Sequence, residues 1–459
     1  MRRIAYIPVR SECADHFESM AKVMALDQDI RGLELMQGQL SQRVRLAGSK
    51  KQTRDSQGAP TEQRKRGGMT TRSRVSERTS KCSIFHYDDD WLWDPRFFTV
   101  SPDLQPVSGV QHPQGVFFRA LEDTAPDAWG ERVIRRAHAK SRQEDRDLPP
   151  LAPVDFLTWV DDEARVGALR LFDPQSGTYL HTGGAHRHIP PLVELDKVLH
   201  AARALEEGVE SAEDLQYLLG QGTSLGGARP KSTVLDIDGW LALGKFPSQA
   251  DQRDVIRGEA LAMNLATRAG IRAAPARVEL IHGTAVAVIR RFDRTTGGGR
   301  IPYVSAATML QTSGRDETHA YTELVDILLQ AGSDPLTDIH ELWRRLAFNF
   351  LICNTDDHLR NTGLLYDARR RGWRLAPAFD LNPMPGDRRE SKIWFTEDSG
   401  PIDSRQILMD GAPYFRLSAQ EAATIWDEVS KAVGTWRAVS RELGMRSGDL
   451  ADFEPALAL

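Results

Sequence analysis

Residues 354–361 read Asn-Thr-Asp-Asp-His-Leu-Arg-Asn, and residues 376–383 read Ala-Pro-Ala-Phe-Asp-Leu-Asn-Pro. The first stretch places Asp356 and Asn361 five positions apart, and the second adds Asp380. One aspartate that can accept a hydroxyl proton, together with an asparagine and a second aspartate that can bind Mg²⁺, is the minimum set of groups for phosphoryl transfer from ATP. The two stretches therefore predict a site of this kind.

The spacing within the first stretch carries most of the information. Asp-x-x-x-x-Asn is the pattern of the protein-kinase catalytic loop, and it favours Asp356 over the adjacent Asp357 as the base. Leu342, Leu346 and Phe350 recur at helical spacing before it, which predicts a helix buried on one face. A capped helix end is the plainer alternative, since Asn and Asp are common there.

His358 lies inside the same stretch. Cysteines and other histidines do not cluster near it in the sequence, so a zinc site is not favoured. A structural role or a contact with a nucleotide is the preferred interpretation of this histidine.

Three features that a kinase needs precede the catalytic stretch in the expected order. Gly226 and Gly227 can bring backbone N–H groups close to an anion. Lys245 ends a predicted strand, and Glu259 on the next predicted helix could pair with it. A Walker A motif is absent, and by itself a glycine pair before a strand is more often a plain turn. Without the loop, Lys245 would be interpreted as a surface lysine and Glu259 as a solvated helix residue.

Composition limits the class of protein. A chain of 459 residues predicts two or three domains. The net charge of -5 argues against general nucleic-acid affinity. Three scattered cysteines indicate neither a disulfide framework nor a zinc site and favour the cytoplasm. Neither a membrane span nor a secretory signal is expected.

The first 82 residues have a different character. A loosely periodic segment predicts a helix over 13–36. Residues 43–81 contain twelve Lys or Arg against three Asp or Glu and almost nothing apolar, which predicts a disordered extension. A basic arm for nucleic acid is the functional alternative, and translation from Met69 would remove most of the segment.

The remaining chain predicts an α+β protein, with a β-rich lobe followed by a mostly helical lobe. Strands are expected over 83–87, 114–118 and 166–172, and an Asp-Gly turn at 238–239 predicts a hairpin that carries Lys245. Residues 384–413 are predicted to be irregular. We expect an N-terminal subdomain over 83–190, an N-lobe over 191–310 and a helical C-lobe over 311–459.

The sequence resembles the HipA family of serine/threonine kinases, the toxins of type II toxin–antitoxin pairs. The resemblance spans residues 83 to 450 and rests on six motifs: 118–130, 224–231, 245–247, 291–294, 354–361 and 378–383. It implies a two-lobed, protein-kinase-like fold that uses ATP and Mg²⁺. Residues 1–82 do not match the β-rich opening of the family, so its first strands are expected to be missing or replaced.

The resemblance also implies a role for individual residues. Asp356 is the implied catalytic base, and Asn361 and Asp380 are the implied Mg²⁺ ligands. Ser224 falls where the family carries an autophosphorylated serine. The implied ATP-binding residues are Gly226, Gly227, Ala228, Arg229, Pro230, Lys231, Lys245, Arg291, Phe292 and His358.

Partners are implied in the same way. The family pairs with a helix-turn-helix, HipB-like antitoxin, through which DNA would be contacted only indirectly, and its members are associated with aminoacyl-tRNA synthetases and translation. Two other functions stay open from the residues alone. One is a kinase-like regulatory or DNA-associated subunit without toxin activity, and the other is a kinase that acts on a small molecule.

Overall fold

The computed structural model describes residues 83–173, 177–180, 189–219, 227–312 and 318–458, together with the backbone of three strands in the first 82 residues. The strands are β1 (Ile7–Pro8), β2 (Ala21–Gln28), β3 (Leu40–Arg45), β4 (His86–Tyr87), β5 (Leu169–Asp173), β6 (Thr178–Tyr179), β7 (Lys231–Leu235), β8 (Leu241–Lys245), β9 (Ala276–Ile281), β10 (Thr284–Arg290), β11 (Tyr303–Ser305), β12 (Gly363–Asp367), β13 (Gly372–Leu375), β14 (Trp394–Thr396) and β15 (Gly400–Pro401).

The helices are α1 (Asp89–Leu92), α2 (Arg119–Glu122), α3 (Ala128–Glu144), α4 (Pro153–Trp159), α5 (Leu195–Glu207), α6 (Ala212–Leu218), α7 (Val255–Arg268), α8 (Ala306–Met309), α9 (Tyr321–Ala331), α10 (Pro335–Leu351), α11 (Arg405–Asp410), α12 (Ala419–Val433), α13 (Trp436–Glu442), α14 (Ser447–Leu450) and α15 (Glu454–Leu457). Short 3-10 helices cover Leu192–Glu194, Leu359–Asn361 and Ala412–Phe415. The predicted α+β class, with a β-rich part before a mostly helical part, is confirmed.

The four-stranded antiparallel sheet β7-β8-β10-β9 is the centre of the β-rich part. Side chains alternate between its faces because successive residues of a strand point in opposite directions. In β10, Val286 and Val288 pack against α3, α5 and α6, whereas Ala285 and Ala287 face Ile256 of α7. Both faces of the sheet are therefore covered by helices.

The helical part is built around α10. Its Pro335 stands at the first helical turn, where a missing N–H costs nothing. Ile339, Leu342, Trp343 and Leu346 form a fully buried stripe against α9 and α12. The helix ends at Leu351, so a rigid, buried element leads directly into residues 354–361.

Residues before β5 pack directly on the three-stranded sheet β11-β12-β13. The ring of Phe98 stacks on Tyr366 of β12 at 3.8 Å between centroids. Asp123 accepts hydrogen bonds from the Ser305 backbone N–H at 2.6 Å and hydroxyl at 2.7 Å, and it is buried.

The structure corrects several predicted elements. The helix predicted over 13–36 is wrong, since Ala21–Gln28 is a strand that pairs with β3 and β5. The strands β1, β2 and β3 also contradict the prediction that the N-terminal extension is disordered throughout. The other residues of 1–82 lie outside the described residues. Residues 114–118 form bends and not a strand, and 384–413 contain β14, β15 and α11. The domain boundaries stay a prediction.

A buried ionic joint connects the end of β10 to the segment before β5. The carboxylate of Asp293 accepts from Arg291 at 2.6 and 2.9 Å, from Arg294 at 2.6 Å and from the Gly167 N–H at 2.7 Å. Arg291 also donates to the Ala164 carbonyl at 2.5 Å. Burial raises the pKa of Asp293, but the two arginines more than offset this and hold it well below its usual range.

Among the described residues, no helix is both long and apolar enough to span a membrane.

We predict that Asp293→Ala lowers the free energy of unfolding by about 3–5 kcal/mol, because it leaves Arg291 and Arg294 buried without their carboxylate. Glu442→Ala, which removes the solvent-exposed ion pair with Arg268, should cost no more than about 1 kcal/mol. Urea unfolding of the two variants at neutral pH measures both values. Equal losses in the two variants would contradict a structural role for the joint.

Candidate active site

Lys245, at the end of β8, bridges two carboxylates from different parts of the chain. Its Nζ lies 2.5 Å from Oε1 of Glu259 on α7 and 2.7 Å from Oδ1 of Asp380 in the loop after β13. All three side chains are largely buried. The structure thus brings together the three residues that the sequence predicts for this site: a strand lysine, a helix glutamate and a loop aspartate.

The charges of this group depend on one another. Burial alone lowers the pKa of Lys245, but Asp380 and Glu259 more than offset this and raise it. Burial alone raises the pKa of Asp380, yet Lys245 reverses the shift and brings it to about 2. Lys245 is therefore held as an ammonium ion and Asp380 as a carboxylate.

Asp380 is held in an unusual backbone conformation. Its φ is +54°, in the left-handed region that aspartate tolerates better than most residues. Just before it, Ala378 pairs with the segment after α7, since Ala274 N–H donates to the Ala378 carbonyl at 2.9 Å. The neighbouring Phe379 ring lies 5.4 Å from Phe292. The loop that carries Asp380 is thus attached to the β-rich part.

The adjacent aspartates after α10 lie in different environments. Asp357 is buried and accepts from the Tyr321 hydroxyl at 2.6 Å and from the Lys392 N–H at 2.7 Å. Burial raises its pKa. The Asp356 side chain is 41% exposed and forms an ion pair with the ammonium of Lys392. Asp357 is therefore part of the scaffold, while the Asp356 side chain is accessible from solvent.

Asn361 is tied to the same turn. Its amide Nδ2 donates to the Asp356 backbone carbonyl at 2.8 Å, so the amide oxygen is the atom that remains for a metal. His358 begins the 3-10 turn that contains Asn361, and its Nδ1 is buried without a hydrogen-bond partner among the described residues. An unpartnered buried nitrogen at this place fits a contact with a ligand.

The predicted phosphate loop is described from Gly227 onward; Ser224 and Gly226 lie outside the described residues. Lys231 Nζ donates to the Gly227 carbonyl at 2.6 Å and to Asp127 Oδ2 at 2.9 Å. Arg229 pairs with Asp251. The Pro230 carbonyl accepts from Phe246 N–H at 2.9 Å, next to Lys245. The end of the loop is thus fixed beside the lysine.

The side chains of Arg291 and Phe292 differ in whether they are available to a nucleotide. The guanidinium of Arg291 is committed to Asp293 and to the carbonyls of Ala164 and Arg165. A nucleotide contact at this position would therefore come from the backbone or from the half-buried ring of Phe292. The adenine contact itself stays a prediction.

Sequence reasoning missed two residues of this site. Lys392, which pairs with Asp356, lies in the stretch predicted to be irregular, where the sequence carried no signal for it. Asp127, which pairs with Lys231, lies within one of the six motifs and directly precedes a helix. Its position as a helix cap could be predicted from sequence, but its partner could not. A cavity of about 350 Å³ beside Arg294 and Arg300 is lined by none of the predicted site residues.

The fold and the group formed by Lys245, Glu259 and Asp380 place the chain among kinase-like proteins. Residues 223–436 match the family model of the HipA-like C-terminal domain, in agreement with the resemblance found in the sequence.

Two relatives are proteins of Sinorhizobium fredii (strain NBRC 101917 / NGR234), named as the candidate kinases Y4mE and Y4dM. The first is 28% identical over 176 residues, which is 34% of this chain and 41% of the relative. The second is 38% identical over 112 residues, which is 23% of this chain and 25% of the relative. The matched segments therefore span less than half of either relative.

A solved structure shows the same fold. It is a chain of the Shewanella oneidensis MR-1 toxin–antitoxin complex of HipA, HipB and operator DNA. The superposition covers 82% of this chain and 90% of that chain, with a TM-score of 0.58 and 16% sequence identity.

We predict that Asp357→Ala and Asp356→Ala differ in stability although they lie side by side. Asp357→Ala leaves the Tyr321 hydroxyl and the Lys392 N–H without an acceptor, which should cost about 1–3 kcal/mol. Asp356→Ala removes a half-exposed ion pair and should cost less than about 1 kcal/mol. Urea unfolding curves compare the two, and a larger loss for Asp356→Ala would reverse the assignment of scaffold and accessible residue.

Proposed function

We propose that this protein is an ATP- and Mg²⁺-dependent protein serine/threonine kinase that acts as the toxin of a type II toxin–antitoxin pair. The observation that carries the proposal is the buried contact of Lys245 with both Glu259 and Asp380. A lysine between a helix glutamate and a metal-binding aspartate is the arrangement that protein kinases need for phosphoryl transfer.

In this proposal Asp356 is the catalytic base. It accepts the proton of the acceptor hydroxyl while that oxygen bonds to the γ-phosphorus of ATP and the bond to the β-phosphate oxygen breaks. Two observations support this role: the Asp356 side chain is exposed, and it does not accept a buried hydrogen bond of the kind that Asp357 accepts from Tyr321. Lys392 shields the carboxylate, and an incoming hydroxyl would replace its ammonium there.

Asn361 and Asp380 would hold Mg²⁺. An amide oxygen and a carboxylate are the hard oxygen ligands that this ion takes, and it commonly uses one or two such groups plus phosphates and water. The described residues contain no cluster of three or more acidic, histidine or cysteine side chains that could hold a metal without the nucleotide, which agrees with this mode. The bound ion would neutralise the phosphate charge.

Nucleotide binding would use the remaining predicted residues. Lys245 would orient the α- and β-phosphates, and backbone N–H groups over Gly226–Lys231 would contact phosphate oxygens. Phe292 and the unpartnered Nδ1 of His358 would contact the rest of the nucleotide.

The proposed toxin role and the partner rest on similarity. The matched structure is a complex of HipA with HipB and operator DNA, which supports a helix-turn-helix antitoxin as the partner of this chain. DNA would then be contacted indirectly. We propose a protein of translation, such as an aminoacyl-tRNA synthetase, as the class of substrate.

Asp356→Ala should lower phosphoryl transfer from γ-labelled ATP to proteins of a cell lysate by about 10²–10⁴-fold, the usual loss when a general base is removed. Nucleotide binding should stay near the wild-type level, because Asp356 does not contact Lys245. Expression of the wild type, but not of the variant, should arrest growth.

Glu442→Ala serves as the control, since it removes only an exposed ion pair with Arg268, and neither residue is a predicted site residue. Equal labelling by the wild type and Asp356→Ala would overturn the kinase proposal. Labelling without growth arrest would overturn only the toxin role and favour a regulatory or small-molecule kinase.

Ser224 is proposed as a site of autophosphorylation, where added negative charge would repel the loop from the nucleotide phosphates. Ser224→Ala should therefore keep its activity during prolonged incubation with ATP, whereas the wild type inactivates itself. Activity against time after pre-incubation with ATP measures the difference. Identical decay in the two proteins would show that phosphorylation of this serine is not the cause.

A further inference from the structure

The N-terminus of α3 holds a charged contact that reaches into the kinase-like part. Asp127 caps this helix with one carboxylate oxygen, since Oδ1 accepts from the Gly130 N–H at 2.8 Å. Its other oxygen, Oδ2, accepts from Nζ of Lys231 at 2.9 Å. The two residues are 104 positions apart in sequence, and their side chains are only 2% and 1% exposed. The Asp127 side chain thus caps α3 and also binds the first residue of β7.

Lys231 connects Asp127 to the loop. Its Nζ donates at 2.6 Å to the carbonyl of Gly227, four residues upstream. Lys231 also stands directly opposite Lys245 in the antiparallel pair of β7 and β8. Opposite residues of such a pair lie on the same face of the sheet, so the two ammonium groups would repel each other without separate counter-ions. Asp127 supplies the counter-ion for Lys231, as Glu259 and Asp380 do for Lys245.

The other end of the same loop is attached to the same helix. Helix α6 immediately precedes the loop and packs against α3. Leu215 and Leu218 of α6 belong to one buried cluster with Trp129 and Val133 of α3. The described residues on both sides of the loop therefore meet at the first two turns of α3.

We propose that Asp127 is a positioning residue for the phosphate-binding stretch 227–231: it fixes Lys231, Lys231 fixes the Gly227 carbonyl, and the backbone of 227–231 is thereby held where it can bind the phosphates of a nucleoside triphosphate. The inference rests on the proposed function, because it assigns the loop to ATP. It adds a residue of the N-terminal subdomain, outside both kinase-like lobes, to the determinants of nucleotide affinity.

The contact is sensitive to charge. Burial raises the pKa of Asp127 to about 6, against the opposing effects of Lys231, the Gly130 N–H and Lys245. Above this pH the carboxylate is ionised and pairs with Lys231; as the pH falls through it, Asp127 takes up a proton and the ion pair is lost. The folded state binds this proton more readily than the unfolded chain, so the loss occurs within the mildly acidic range.

Asp127→Asn tests the inference in the full-length protein. Asparagine caps helices as well as aspartate does, but it has one acceptor oxygen where Asp127 uses two, so Lys231 loses its counter-ion while the helix cap is kept. We expect a non-hydrolysable ATP analogue with Mg²⁺ to bind about tenfold more weakly at pH 7.5, the loss that goes with a buried charge left unpaired. The rate of transfer at saturating ATP should change little, because Asp127 does not touch the reacting atoms.

Asp254→Asn is the matched control. Asp254 caps α7 through the Arg257 N–H and also pairs with the Arg257 guanidinium, so the chemical change is the same at a cap whose hydrogen bonds go to Arg257 and not to residues 227–231. It should leave nucleotide affinity at the wild-type value. If Asp127→Asn does not fold, Asp127→Ser keeps a capping oxygen and replaces it in the comparison.

A double-mutant cycle and a pH series complete the test. Lys231→Met combined with Asp127→Asn should bind nucleotide no more weakly than Lys231→Met alone, because both changes remove one contact. The ratio of wild-type to Asp127→Asn affinity, which cancels the titration of the nucleotide, should fall toward one between pH 7.5 and 5.5. Unchanged affinity in Asp127→Asn, additive effects, or a constant ratio would overturn this inference alone. Absence of nucleotide binding by the wild type would overturn the proposed function with it.

Discussion

The contact of Lys245 with Glu259 and Asp380 is the constraint on which the rest of the structure depends. Three charged groups are taken out of water, which is costly unless their geometry is good and each charge has a partner. Each comes from a different element: the end of β8, the middle of α7, and the loop after β13. The sheet, the helix and the C-terminal loops must therefore be placed correctly with respect to one another before these charges can be paired.

Two further buried ionic contacts connect this arrangement to the residues between β4 and β5. Asp293 connects the strand that ends at Arg290 with the backbone before β5. Asp127 connects α3 with the first residue of β7. Both contacts replace water by several fixed partners, which is how a buried carboxylate stays ionised. The residues between β4 and β5 are thus joined to the kinase-like part by charges as well as by the apolar contacts of Phe98 and Trp129.

Much of the fold and of the candidate site could be predicted from sequence, where local patterns are strong. The stripe on α10 and the Asp-Gly turn before β8 needed only periodicity and turn chemistry. The strand at Ala21–Gln28 was missed because its apolar residues follow neither a helical nor an alternating pattern clearly. Residues 114–118 have strand-like composition but meet no ladder partner, and an isolated segment gains nothing from being extended.

The sequence by itself determined which residue types are present and in what order: the glycine pair, Lys245, Glu259, the Asp-x-x-x-x-Asn spacing and Asp380. It also favoured Asp356 over Asp357, because spacing along one chain sets which side chain can act with Asn361. Only the tertiary structure decided which charges neutralise each other. Desolvation makes an unpaired buried charge costly in free energy, so each charge pairs with an opposite charge that is near it in space. The pairs decided in this way are Asp127 with Lys231 and Arg291 with Asp293, and proximity in space likewise pairs Lys392 with the half-exposed Asp356.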